Sequence, residues 1–257
     1  MIVGIHQPHY LPWLRYIDKI ARSDVFVLLD DAAYTKNGWQ NRNKIKCAQG
    51  WMYLTVPVLD AFRKSIFEVR VNNQERWRGK HSTALRVNYA RAPFFRRYGG
   101  YFEELYGRPW ETLCDVSVHV LELVRSLLKI DTRIVRSSTL NVPGQATERL
   151  VRICKALGAT TYLTGDYAAG NHLDVHAFQE QGIEVRMQDW RCVEYRQQHM
   201  QSGFIPDLSI VDLLFNEGER TLPLLAGCRS SGGIAANISP AGRLQPVAAR
   251  SVQERTS

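Results

Sequence analysis

The first apolar run of the chain ends on side chains that can transfer a proton. His6, Gln7 and His9 follow that run, and a second apolar run ends on the adjacent carboxylates Asp30 and Asp31. An imidazole exchanges a proton near neutral pH, and a neighbouring carboxylate can orient it, bind a cation or hold a substrate hydroxyl or amine. This pattern predicts an acid–base site whose catalytic candidates are His6, Asp30 and Asp31. Gln7 and His9 are predicted to bind the substrate.

Aromatic rings and cations alternate in the segment that follows the two carboxylates. Arginine binds phosphate through paired hydrogen bonds and lysine binds it as a point charge, while a tryptophan or tyrosine ring can stack on a base or a sugar. A nucleotide or nucleotide sugar is therefore the predicted ligand. The substrate-binding candidates of this segment are Tyr34, Lys36, Trp39, Asn41, Arg42 and Lys44. A solvated basic loop anchored by Trp39 would have the same composition, just as a core histidine would account for His6.

Two further turns complete the predicted site. Tyr10 shares the turn of His9, and Gly165 with Asp166 follows a later apolar run. The stretch 164–170 matches neither the G-x-G-x-x-G nor the Walker A pattern, so Gly165 and Asp166 are interpreted as one wall of the site. The histidines have no obvious third metal ligand, and no nucleophile elbow is present. Neither a metal site nor covalent catalysis has positive support.

Strands that alternate with helices predict an α/β fold, in which a mainly parallel sheet has flanking helices and right-handed crossovers. The predicted strands are 2–5, 25–29, 132–137, 161–163 and 184–187, and the predicted helices outside the central block are 13–20, 147–157, 175–181 and 208–215. The carboxyl ends of parallel strands lie at one edge of a sheet, where ligands bind. His6, Asp30 and Asp166 are therefore expected to converge.

The middle of the chain is predicted to contain a loop, a hairpin and a helical insertion. Residues 32–50 lack apolar periodicity and are predicted to form a long functional loop. Segments 51–58 and 66–71 are predicted to pair as a hairpin joined through 59–65. Residues 74–129 have the periodicity of helices.

Composition indicates one globular domain over residues 1–225. Of 257 residues, 45% are hydrophobic and 23% are charged, and no apolar run approaches the roughly 20 residues of a membrane-spanning helix. Residues 226–257 are rich in Ser, Gly, Ala, Pro and Arg and are predicted to be a disordered tail. The five scattered cysteines form no C-x-x-C pair, which argues against a disulfide framework or a zinc ribbon and favours a cytoplasmic protein.

The net positive charge of the chain is confined to residues 1–110. Residues 1–110 hold 18 Lys and Arg against 9 Asp and Glu, and the whole chain has a net charge of +8. This asymmetry predicts an anionic partner, which could be nucleic acid, a nucleotide or a phosphorylated carrier. With the candidate site residues, a nucleotide-linked substrate or a carrier protein is the predicted partner, and no nucleic acid is predicted. A solvated basic face without a function is the alternative.

Four motifs in combination resemble the signature of the WbqC-like protein family. The motifs are Ile5–Trp13, Leu29–Arg42, Tyr162–Gly165 and Phe204–Asn216. The resemblance extends over residues 2–218. Arg15 and Thr164 depart from the family pattern, and neither is expected to touch the site.

The resemblance implies a bacterial transferase of surface polysaccharide biosynthesis, such as that of the O-antigen of lipopolysaccharide. The implied reaction acylates or aminoacylates, for example glycylates, the amine of a nucleotide-linked amino sugar, with His6 as general base. The implied acyl donor is the phosphopantetheine arm of a carrier protein. Arg42 and Lys44 would hold the diphosphate or that arm, and no tightly bound cofactor is implied.

A fainter resemblance to the nucleotidylyltransferase-like superfold depends on His6 and His9, which form an H-x-x-H turn. Pro8 replaces the glycine expected in that turn, and it has no N–H to donate to a phosphate. Because the two histidines are present and the glycine is not, a nucleotidyl-transfer enzyme is the alternative function and not the first choice. A non-catalytic protein that binds nucleotide sugars is a further alternative.

Overall fold

The computed structural model describes residues 1–165 and 173–228, which form a central five-stranded sheet and two small antiparallel pairs. The strands are β1 (Ile2–His6), β2 (Val25–Leu28), β3 (Arg42–Cys47), β4 (Gly50–Thr55), β5 (Val58–Leu59), β6 (Arg70–Val71), β7 (Arg133–Arg136), β8 (Thr161–Thr164) and β9 (Glu184–Met187). The helices are α1 (Leu14–Ala21), α2 (Trp77–Tyr89), α3 (Phe95–Gly107), α4 (Leu113–Leu128), α5 (Ser137–Leu140), α6 (Ala146–Ala156), α7 (Val175–Gln179), α8 (Ile210–Glu217) and α9 (Thr221–Gly227). Short 3-10 turns cover Ile66–Glu68, Met200–Ser202 and Gly218–Arg220. Within the described ranges, no helix has both the length and the apolar character that crossing a membrane requires.

All neighbouring strands of the central sheet run parallel, in the order β7-β2-β1-β8-β9. The apolar runs of β1 and β2 are buried because helices cover both faces of such a sheet. Counted along the chain, the order is 3-2-1-4-5, so the direction in which strands are added reverses between β1 and β8. The predicted α/β fold with a parallel sheet is confirmed, and its relation to the nucleotidylyltransferase-like superfold stays a prediction.

The two faces of the sheet pack against different helices. Ile5 and Val27 point to one face, where they join a cluster with Val151 of α6 and Phe178 of α7. Phe26 points to the other face and joins the larger core, which contains side chains of α1, α2, α3, α4 and α8. Successive side chains of a strand point to opposite faces, which explains the division.

The prediction of one continuous loop over residues 32–50 is wrong in its second half. Residues 42–47 form β3, which pairs antiparallel with β4, so that Ile45 lies opposite Met52. The two-residue connection 48–49 has the sequence Ala-Gln, which carries neither of the Asn-Gly and Asp-Gly signals of tight hairpins. The polar residues of β3 also obscured its alternation.

The predicted pairing of 51–58 with 66–71 is wrong for most of its length. Most of the first segment belongs to β4, whose partner is β3. The two segments meet in one short antiparallel pair, β5 with β6, in which Val58 lies opposite Val71.

Residues 74–129 contain α2, α3 and α4, in agreement with their helical periodicity. At the other end of the chain, α9 includes Ala226 and Gly227, which the composition had assigned to the tail. Residues 229–257 lie outside the described residues, so the disordered tail stays a prediction.

A buried carboxylate ties α8 to the rest of the domain. Asp212 is fully buried and accepts hydrogen bonds from the hydroxyls of Tyr89 (2.7 Å) and Tyr195 (2.6 Å). The Tyr89 hydroxyl also accepts a hydrogen bond from the backbone N–H of Lys46 (2.9 Å). Burial raises the pKa of Asp212 to about 6, although the hydrogen bonds from both phenols and the charge of Lys46 act against the rise.

Replacing Asp212 with Asn should make the stability of the protein less dependent on pH. Between about pH 4 and 6 the folded state keeps a proton on Asp212 that the unfolded chain has released, so this group contributes less stability as the pH rises. The unfolding free energy of the wild type minus that of the variant should therefore fall by about 2–3 kcal/mol from about pH 4 to about pH 7. Urea titrations at both pH values measure this difference, and a constant difference would contradict the raised pKa.

Candidate functional site

A pocket of about 610 Å³ opens at the carboxyl ends of β1 and β8, where the strand order reverses. Open parallel sheets bind ligands at this position, and the volume is that of a small-molecule site. The residues that determine its chemistry include His6, His9, Arg15, Lys19, Trp39 and Gly165. Among the described lining residues, none is Asp or Glu.

His6 lies at the end of β1, and the backbone holds one of its ring nitrogens. Its Nδ1 is 3.2 Å from the carbonyl oxygen of Gln7, which also accepts a hydrogen bond from Tyr16 (3.0 Å). Because a carbonyl oxygen has no hydrogen to donate, Nδ1 carries the hydrogen and Nε2 keeps its lone pair. The side chain of Gln7 accepts a hydrogen bond of 2.9 Å from Gln40. His6 can therefore accept a proton at Nε2.

Both imidazoles of the pocket are uncharged at neutral pH. Burial is the largest cause that lowers the pKa of His6 well below 6.5, and His9, Lys19 and Arg15 lower it further. Burial and the charge of Lys19 lower the pKa of His9 to about 3. The two rings are in edge contact with centroids 4.6 Å apart, and His9 also stacks on Tyr16. Neutral imidazoles beside two cations favour an anionic ligand or an anionic transition state.

The positive charge of the pocket comes from α1. Arg15 and Lys19 are four residues apart on this helix, so both can face the pocket that they line. Arg15 donates a 2.7 Å hydrogen bond to Asp207, which fixes its guanidinium group. The stem of Lys19 packs against β1 at Gly4, where a Cβ would lie 3.4 Å from Lys19 Cγ. The ammonium group lies beside Gly165, 4.0 Å from the position of a Cβ there.

Neither cation was among the predicted site residues, and Arg15 and Thr164 were expected to lie away from the site. Both line the pocket, so that expectation is wrong. The spacing of Arg15 and Lys19 directly after Trp13, a further lining residue, was a signal that could have found them. It was not decisive because a lysine on a short amphipathic helix usually faces solvent.

Asp30 lies just after β2 and is hydrogen-bonded to other residues of the fold, not to His6. Its carboxylate is fully buried and accepts hydrogen bonds from Arg136 Nε (2.6 Å), the Ser137 hydroxyl (3.1 Å) and the Ser138 N–H (2.9 Å) and hydroxyl (2.8 Å). These bonds join β2 to the end of β7 and to α5. The predicted orientation of His6 by Asp30 is therefore not formed.

Asp31 has a similar structural role. It accepts a hydrogen bond of 2.6 Å from Ser137 and forms an ion pair with Arg149 of α6. Burial tends to raise the pKa of Asp31, but the hydrogen bonds from Arg149 and Ser137 hold it below its usual value. The carboxylate is thus stabilised in its charged form as a structural ion.

Two of the predicted substrate-binding residues are engaged within the core. Tyr10 is fully buried, and its hydroxyl lies 2.9 Å from Nδ1 of His81 and 2.6 Å from the hydroxyl of Tyr106. Asn41 donates a hydrogen bond of 2.9 Å to the carbonyl oxygen of Val56. These side chains support the turn and the loop that border the pocket.

The remaining candidates of the aromatic and basic segment differ in position. Trp39 lines the pocket, whereas Tyr34 packs against the main core and Lys36 is exposed. Arg42 and Lys44 lie on β3, with their charged groups over the rings of nearby aromatic residues. They do not line the pocket themselves, but Lys44 and the Tyr53 ring under Arg42 lie next to Trp39, which does.

The structure brings five of the predicted site residues together in the pocket, namely His6, Gln7, His9, Trp39 and Gly165. Asp166 lies outside the described residues, so its place at this edge stays a prediction. Within residues 1–165 and 173–228, no group of three or more His, Cys, Asp or Glu side chains is placed to hold a metal ion.

Comparison with known proteins relates most of the chain to one family. Residues 7–223 match the model of the WbqC-like protein family. The chain is 36% identical over 231 residues to "Uncharacterized protein Rv1507c" of Mycobacterium tuberculosis, a match that covers 88% of this chain and 98% of that protein. No solved structure matches the chain.

Replacing Asp30 with Ala should destabilise the protein. The change removes the acceptor that Arg136 and Ser138 share and leaves a guanidinium group without its counter-charge. Breaking a fully buried pair costs about 3–5 kcal/mol, and we expect about 2 kcal/mol here because the Arg136 side chain is 39% exposed. Urea unfolding measures the loss, with Asp131→Asn at an exposed position as the control. An Asp30→Ala variant as stable as the wild type would contradict the structural role.

Proposed function

Since the chain belongs to the WbqC-like protein family, we propose that it is a transferase of bacterial surface polysaccharide biosynthesis, such as that of the O-antigen. Its reaction acylates or aminoacylates, for example glycylates, the amine of a nucleotide-linked amino sugar in the pocket at the ends of β1 and β8. The observation that carries the proposal is the Nε2 lone pair of His6 in one cavity with Arg15 and Lys19.

The reaction needs a base because the amine becomes cationic as it attacks. In the proposed step the amine nitrogen bonds to the acyl carbon of a thioester on a carrier protein, and one of its protons passes to Nε2 of His6. The phosphopantetheine sulfur leaves with the electron pair of the carbon–sulfur bond and takes up that proton. Negative charge develops on the acyl oxygen between these events, and Arg15 and Lys19 supply the positive charge to stabilise it.

Nucleotidyl transfer is a second candidate because His6 and His9 both line the pocket at the reversal of strand order. Pro8 argues against nucleotidyl transfer because proline has no N–H, so this turn has one backbone donor fewer for a phosphate. Thermal stabilisation by ATP or CTP with Mg²⁺, and not by nucleotide sugars, would favour this candidate.

Replacing His6 with Gln should lower kcat and leave KM nearly unchanged. The acceptor substrate is found first, as the nucleotide sugar that raises the thermal stability of the wild type, and acyl transfer from a loaded carrier protein is then followed by mass spectrometry. Loss of a general base lowers kcat about 10²- to 10⁴-fold. His176→Gln, at an exposed histidine of α7, is the matched control.

Two results would contradict the proposal in different ways. A folded His6→Gln variant with the wild-type kcat would exclude His6 as the base. Nucleotide sugars that stabilise the protein but are never acylated would exclude the transfer and leave a binding protein.

The pH dependence of the reaction should reflect the buried environment of His6. The base must be uncharged, and burial holds the pKa of His6 well below 6.5, so the acid limb of kcat/KM moves to lower pH. After division by the uncharged fraction of the substrate amine at each pH, kcat/KM should therefore be flat from about pH 8 to about pH 6, whereas an exposed histidine would give half-maximal activity near about 6.5. A fall centred near that value, absent from His6→Gln, would contradict the lowered pKa.

A further inference from the structure

Cations and aromatic rings make up most of one face of the β3–β4 hairpin. Side chains alternate along each strand and share a face with their cross-strand neighbours, so Arg42, Lys44, Trp51 and Tyr53 lie on the same face. The opposite face is mostly buried in the main core. These four residues and Trp39 are called the cation–aromatic surface below.

The cations of this surface lie over the aromatic rings. The Nζ atom of Lys44 is 4.2 Å from the ring centroid of Trp51 and 5.7 Å from that of Trp39. The Cζ atom of Arg42 is 4.4 Å from the ring centroid of Tyr53. Contacts of this kind hold a cation in place without neutralising its charge.

No carboxylate compensates these charges locally. Residues 32–59 contain four Lys and Arg and no Asp or Glu. Across the part of the chain that the structure describes, neither Arg42 nor Lys44 forms an ion pair, and Arg42 donates to the carbonyl oxygen of Asn37 instead. An anionic group bound here would meet two positive charges and no repelling carboxylate.

Trp39 makes the surface continuous with the pocket. It lines the pocket, and its ring centroid lies 4.7 Å from that of Trp13, a further lining residue, and 6.2 Å from that of Tyr53. At the outer end, Trp51 is 42% exposed and has ring surface available for a ligand. A ligand that extends out of the pocket past Trp39 would cross this surface.

We propose that the cation–aromatic surface binds the nucleoside diphosphate part of the substrate while the pocket takes the sugar. A diphosphate supplies the negative charge that Arg42 and Lys44 lack, and a base supplies a flat ring that stacks on Trp51. A ligand with phosphates alone would use the cations and leave the rings unused. The ligand class rests on the proposed function, and the place of binding rests on the contacts of this surface.

Calorimetric titration with UDP and with inorganic pyrophosphate separates the two contributions. UDP serves as the probe because stacking on an indole tolerates any base. Lys44→Gln should raise the Kd of both compounds about fivefold, since both lose a phosphate contact. Trp51→Leu should raise the Kd of UDP about fivefold or more. It should raise that of pyrophosphate less, because pyrophosphate loses only the support that the ring gives to Lys44. Lys155→Gln and Tyr101→Leu, at exposed positions elsewhere, are the matched controls and should bind as the wild type does.

The site is rejected if UDP binds to Lys44→Gln and Trp51→Leu as tightly as to the wild type, or if pyrophosphate binds as tightly as UDP. The proposed function can fail separately. UDP binding that depends on both residues, without acyl transfer to any nucleotide sugar, would support this site and contradict the transferase. Acyl transfer by both variants with the wild-type KM would support the transferase and reject this site.

Discussion

The reversal of strand order between β1 and β8 is the constraint on which the rest of the structure depends. The connections that follow these two strands diverge to opposite sides, so the gap between their carboxyl ends remains open. That gap is the pocket, and the residues that follow each strand form its walls. His6 comes from β1 and Gly165 from β8. The first crossover helix, α1, brings Arg15 and Lys19 to the same place.

The carboxylates near the pocket are engaged in ion pairs with arginines of the protein. Asp30 and Asp31 pair with arginines beyond the end of β2, and Asp207 pairs with Arg15 at the rim. The described lining residues include no acid. Among the ion pairs of the described ranges, none involves Lys44 of the hairpin beside the rim. Part of the positive charge of residues 1–110 therefore lies at this cavity and its border, where it can attract an anionic ligand.

Local sequence patterns predicted the sheet. They could not predict contacts between side chains that are far apart in the sequence. Apolar runs identify strands that helices cover, and the end of such a strand identifies the edge that carries His6. The predicted role of Asp30 was wrong because its carboxylate is paired with Arg136, which is 106 positions away. No local sequence pattern indicates such a pairing. Lys19 is buried against Gly4 of β1 across the helix–sheet contact, which is a tertiary feature.

The positive charge that weakens His6 as a base in the free protein becomes favourable during the proposed transfer. After burial and the neighbouring His9, the charges of Lys19 and Arg15 lower the pKa of His6, because they repel an imidazolium ion. Negative charge that develops on the acyl oxygen offsets this repulsion, so the imidazole holds a proton more easily at that moment. Proton uptake and oxyanion formation therefore favour each other. In the proposed transfer, the site would then bind the transition state more strongly than the substrate, which is the condition for a faster reaction.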